Sequence, residues 1–167
     1  MKCLRTIIPL TMILAIGLGP TVADDSSAFG SIATHYENIR QALLNDGTDG
    51  VAENATHIQH LVRTLESDLS DEAAGIRPGA VDDLRALLPS IRESAVALAE
   101  SGSIEDARTA FGKLSKTLVQ YRQLTPDPLT VVAFCSMAQE VWLQPKGEIG
   151  NPYYGQSMAR CGEIVSE

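Results

Sequence analysis

Two short clusters of sulfur stand out near the end of this 167-residue chain: Cys135-Ser136-Met137 and Met158-Ala159-Arg160-Cys161. Thiolate and thioether are soft donors, and soft donors select Cu(I) and related ions over harder cations. In an extended or turn segment, alternate side chains point the same way, so Cys135 and Met137 can act together. Met158 and Cys161, three apart, share a face of a short helix. Two such arms converging on one low-coordinate ion predict a Cu(I) or Ag(I) site made from Cys135, Met137, Met158 and Cys161. Zinc fits poorly, because thioether is a weak ligand for it and the spacing of a zinc finger is missing.

The same residues support a second chemistry. In an exported protein a cysteine pair can close as a disulfide, here Cys135 to Cys161, with Met137 and Met158 as core filler. Closing that loop is worth about 3–4 kcal/mol in the chain-entropy model, enough to tether a segment poor in regular structure. Only the reduced pair supplies thiolates, so the two readings can interconvert.

The three histidines offer a weaker constellation. His57 and His60 are three apart, and His35 precedes Tyr36 on an earlier segment. Together they could hold a divalent ion, since imidazole suits Cu(II) and Zn(II); as solvated helix flanks they would hold nothing. Trp142 could cover a cation with its ring face or pack the C-terminal segment down. Tyr153 and Tyr154 suit the stapling of the Asn151-Pro152 turn. Asn54-Ala55-Thr56 matches a glycosylation sequon but falls inside a predicted helix.

The scaffold that must position the sulfurs is helical. Residues 26–124 carry four apolar stripes with spacings of three and four, each long enough for a helix near 30 Å. They are Phe29, Ile32, Tyr36, Ile39, Leu43; Val51, Ala55, Ile58, Val62, Leu65, Leu69; Val81, Leu84, Leu88, Ile91, Ala95, Leu98; and Ile104, Ala107, Phe111, Leu114, Leu118, Tyr121. Asn45-Asp46-Gly47 ends the first, Thr48 is a candidate cap for the second, Gly102 closes the third, and Ser103-Ile104-Glu105-Asp106 resembles a capping box. Pro89 predicts either a kink in the third helix or a late start to it.

Beyond Thr125-Pro126-Asp127-Pro128 the periodicity stops. Leu129 to Phe134 suits a buried extended segment or another short helix, and short helical pieces are expected near Ala138 and Met158. The expected fold is all-α: an up-down-up-down four-helix bundle with an irregular lobe at 125–167, in a single domain spanning 24–167.

Residues 1–23 read as a cleavable signal peptide: Lys2 and Arg5, an apolar run from Ile7 to Gly19, then small residues ahead of Asp24. The run is about 13 residues, short of the roughly 20 needed to span a bilayer. Export to the periplasm is the expectation, with no membrane insertion after processing. Two of the 13 basic residues would leave with the peptide, and the net charge of −8 would become more negative by two. Such a surface repels nucleic acid and anionic membrane. No nucleophile elbow, P-loop, dinucleotide fingerprint or Cys-x-x-Cys pair is present, and no enzyme is read.

The C-terminal segment resembles a known family. Phe134-Cys135-Ser136-Met137, Trp142-Leu143-Gln144, Asn151-Pro152-Tyr153-Tyr154-Gly155 and Met158-Ala159-Arg160-Cys161-Gly162-Glu163 are similar to the signature of the bacterial domain of unknown function 3347. Ser136 stands where that family usually has proline. The family's domains occur alone after a signal peptide or appended to periplasmic adaptors of copper and silver efflux. The resemblance implies a heavy-metal accessory role with an efflux adaptor as partner, and it makes Cys135, Met137, Met158 and Cys161 the sulfur positions. The contrasting expectation is a disulfide-stapled interaction module whose acidic bundle docks on another envelope protein.

Overall fold

The computed structural model describes residues 27–126 and 129–166, so the expected signal peptide lies outside the described residues. Each predicted stripe becomes the buried face of a helix. They are α1 (Ala28–Leu44), α2 (Val51–Ser67), α4 (Val81–Ala99) and α5 (Ile104–Leu124), with one extra turn, α3 (Asp71–Ala74), in the long middle connection. Helix α1 packs on α2, α2 on α4, α4 on α5, and α5 returns to α1. Their stripes meet in one core that includes Ile32, Tyr36, Ile58, Leu88, Phe111 and Leu114. None of these helices is long and apolar enough to cross a membrane.

The caps are local chemistry. Ser27, Ser70 and Ser103 each accept a backbone N–H three residues on, which satisfies one orphan donor at the start of α1, α3 and α5. Thr48 does not cap α2; Gly50, left-handed at φ 76°, takes the N-cap position with no side-chain bond. Pro89 neither breaks α4 nor delays it, since the helix begins eight residues earlier and continues ten beyond.

The expected all-α class is overturned by the C-terminal lobe, which contains a three-stranded antiparallel sheet. Its strands are β1 (Thr130–Cys135), β2 (Glu140–Pro145) and β3 (Glu163–Ser166), in the order β2-β1-β3. The expected helical piece near Ala138 is instead the hairpin turn between β1 and β2. Gln139 takes a left-handed φ of 55° there and its side chain bonds back to the Ser136 carbonyl. Near Met158 the chain does turn, as one 3₁₀ turn over Gly155–Met158. Neither β1 nor β2 alternates cleanly, because consecutive residues Val131, Val132 and Ala133 on β1, and Trp142, Leu143 and Gln144 on β2, are all buried. A strand covered on both faces loses the period-two signal.

The lobe is fastened to the bundle through polar groups on α1 and α5. Tyr36 Oη accepts the Leu143 N–H at 3.2 Å, and Arg40 donates to the Gly150 carbonyl at 2.6 Å. Arg108 donates to the Pro152 carbonyl at 2.9 Å and pairs with Asp46, whose other oxygen accepts the Gln156 N–H. Gly155, at φ 53°, sits so close to Asp46 that a Cβ there would collide with its carboxylate.

Candidate functional site

Sheet register builds the sulfur site. Cys135 ends β1, and β3 pairs Glu163 with Phe134. Continuing that antiparallel register two residues back sets Cys161 beside the position that follows Cys135. Gly162 makes the approach feasible: at φ 142°, a Cβ would lie 2.7 Å from the Trp142 ring and 3.0 Å from the Phe134 carbonyl. Only a residue without a side chain brings the second arm this close. The Cys135 and Cys161 sulfurs, 26 positions apart in the chain, are 2.7 Å from each other. Cys135 is fully buried and Cys161 partly so, both as free cysteines.

The surroundings shift the two thiols in opposite directions. Burial opposes charge on Cys135, but hydrogen bonds from Cys161, from the backbone N–H groups of Ala138 and Met137 and from Asn151 outweigh it, and its pKa is lowered. Cys161 is raised, first because its proton serves Cys135 and then by burial. The thiolate is the form that binds a soft ion or attacks a disulfide, and the bonds at the hairpin turn favour it on Cys135.

The methionines frame this pair by their backbones. Met137 offers its N–H to the cysteine sulfurs while its residue is 65% exposed. That exposure contradicts its expected use as core filler. Met158, half-buried, accepts the Cys161 N–H at its carbonyl at 3.0 Å. The structure thus joins Cys135 to Cys161 directly and places Met137 and Met158 one bonded step away.

Several neighbouring motif residues are architectural. Trp142 is buried, donates to Gln144 Oε1 at 2.9 Å and meets Tyr153 edge-on, so it packs the lobe rather than presenting a face to solvent. Gln144 Oε1 also accepts the Gly150 N–H, and its amide donates to the Glu148 carbonyl. Asn151, fully buried, accepts the N–H groups of Tyr153 and Tyr154 and donates to the Cys161 carbonyl at 2.8 Å. It therefore holds the turn and the second cysteine arm with one side chain. Asn151 is the positioning residue that the sequence does not reveal; the Asn-Pro turn is visible there, its hydrogen bond to the cysteine arm is not.

Among the described residues no three or more His, Cys, Asp or Glu side chains form a group able to hold a metal. A groove of about 390 Å³ adjoins the hairpin turn between Arg108, Lys113, Lys116, Ala138, Glu140 and Tyr154. Two of its cations are already spent, Arg108 on Asp46 and Lys116 on Glu140.

No protein-family model, curated protein or solved structure matches the chain. The resemblance of the C-terminal motifs accordingly rests on those residues alone.

Proposed function

We propose that this chain is a periplasmic accessory protein of heavy-metal handling that binds Cu(I) or Ag(I) through its reduced Cys135–Cys161 pair, with Met137 and Met158 as auxiliary soft donors. The observation that carries the reading is the meeting of two distant cysteines beside a solvent-facing methionine at one hairpin turn. Resemblance to the domain of unknown function 3347 supports it, as does the lowered pKa of Cys135. An exposed thioether at the edge of a thiolate pair suits ligand exchange, in which an incoming donor from an efflux adaptor takes the ion stepwise. Titration of the reduced protein with Cu(I) against a competing chelator should give one tight equivalent. Met137→Ala and Met158→Ala should weaken it while leaving the helical signal unchanged. No stoichiometric binding after complete reduction would overturn the reading.

The 2.7 Å separation specifically favours one further state, a Cys135–Cys161 disulfide, since a bonded pair lies near 2.05 Å and little movement is needed. In that state the lobe is a stapled interaction module. A thiol count on the unfolded protein under non-reducing conditions separates the two: two thiols for the metal-ready form, none for the stapled one.

A further inference from the structure

We propose that the groove beside the hairpin turn is a docking site for an acidic segment of a partner chain, held by Lys113 on α5. The groove, about 390 Å³, lies between α5 and the turn that joins β1 to β2, with Ala138 and Tyr154 on the lobe side. Two further depressions, of about 340 and 320 Å³, adjoin it on the α4 side, and Lys113 lines all three. A channel continued in this way suits a length of chain better than a small ion.

The sequence supplies the charge. Two of the chain's four lysines, Lys113 and Lys116, are three apart on α5 and share one exposed face of it. Among the charged side chains that line the groove by the hairpin, Arg108, Lys113 and Lys116 are basic and only Glu140 is acidic. The depression toward the end of α4 sets Glu100 and Asp106 against Lys113 alone. An acidic segment is therefore drawn to the hairpin end of the channel and turned away from the other. The net charge of −8 keeps such a segment off most of the remaining surface.

The ion pairs decide which cation is available. Arg108 pairs with Asp46 at 2.6 Å and Lys116 with Glu140 at 2.9 Å. Gly112 lets the Glu140 carboxylate lie against α5, because a Cβ there would crowd it at 3.3 Å. Lys113 stands between these two pairs in the chain and forms no ion pair among the described residues. It is exposed, so its ammonium can meet a carboxylate in a charge-assisted hydrogen bond. Tyr154 links the groove to the sulfur site: its N–H bonds Asn151 and its hydroxyl donates to the Met137 carbonyl at 3.3 Å. A segment on Lys113 thus rests against the same turn that exposes Met137. That the segment belongs to a metal-exchange partner rests on the function proposed above; the groove's preference for carboxylates does not.

Titration of the ¹⁵N-labelled, reduced, metal-free full chain with hexaglutamate tests the site. The Gly112, Lys113, Ala138 and Tyr154 amides should shift along one saturation curve that weakens with added salt. Lys113→Glu should weaken binding about tenfold, since the reversal removes an attraction and adds a repulsion. Lys146→Glu, the same reversal at an exposed lysine outside the channel, should leave binding unchanged. Both positions are exposed, and circular dichroism verifies that the variants stay helical. No saturable shift at millimolar peptide would overturn the proposal, as would equal weakening by the two variants, or free glutamate that reproduces the shifts at the same carboxylate concentration. Cu(I) titrations of Lys113→Glu and the parent chain should coincide, so failure of the metal reading and failure of the groove are read separately.

Discussion

At the residue scale, the pH response of the cysteine pair follows from opposite shifts of its two thiols. Cys135 is lowered from an ordinary thiol value of 9.0, so its thiolate stabilises the folded state. That contribution is complete above the ordinary value and is lost as pH falls through the lowered one. Cys161 is raised from 9.0, so its contribution is complete below the ordinary value and is lost as pH rises through the raised one. Reduced protein should therefore be most stable near the ordinary thiol range, relative to the Cys135→Ser/Cys161→Ser variant, with the difference shrinking on both sides. Urea midpoints of both proteins from mildly acidic to alkaline pH measure it. A difference independent of pH would mean that the two thiols are not shifted apart. The two cysteines that the structure brings together were legible in the sequence as a candidate pair. The opposite shifts were not, because they depend on the Ala138 and Met137 amides and on Asn151, none of which advertises a perturbed thiol.

At the element scale, edge strand β2 is protected by two tyrosines. In an antiparallel strand every second residue turns its N–H and C=O away from its partner. On β2 these include Leu143, whose N–H meets Tyr36 Oη, and Val141, whose carbonyl accepts Tyr153 Oη at 2.6 Å. Edges left open in this way invite pairing with other chains. Tyr36 also bonds Ser115 Oγ at 2.6 Å, and burial drives its pKa far above the usual tyrosine range, so the hydroxyl stays neutral and available. Tyr36→Phe should cost about 1–3 kcal/mol, because it strands the buried Leu143 N–H while Ser115 keeps its bond to the Phe111 carbonyl. Amide exchange at Leu143 should accelerate while the α4 amides remain protected. The helices could be read from their stripes because each repeats an apolar residue once per turn over four or five turns. The sheet could not, since six-residue strands buried on both faces carry no alternation, and β3 is wholly exposed.

At the scale of the whole molecule, bundle and lobe share one core but are joined differently in sequence. The bundle forms mostly among neighbouring helices, whereas the lobe is fixed to α5 by partners 24 to 44 residues away and to α1 and its following turn by partners 107 to 112 residues away. Contacts at such separation carry a large loop-closure cost and form slowly. The cysteine pair, separated by only 26 residues, closes within the lobe. Trp142, the sole tryptophan, is fully buried at the junction of lobe and bundle. It is a built-in clock for that last step. In refolding from urea, far-ultraviolet ellipticity should recover before tryptophan fluorescence; coincident recovery would mean that lobe and bundle condense as one unit. If the lobe trails, a chain emerging from its amino-terminal end has a nearly complete helical bundle before Cys135 and Cys161 are brought together.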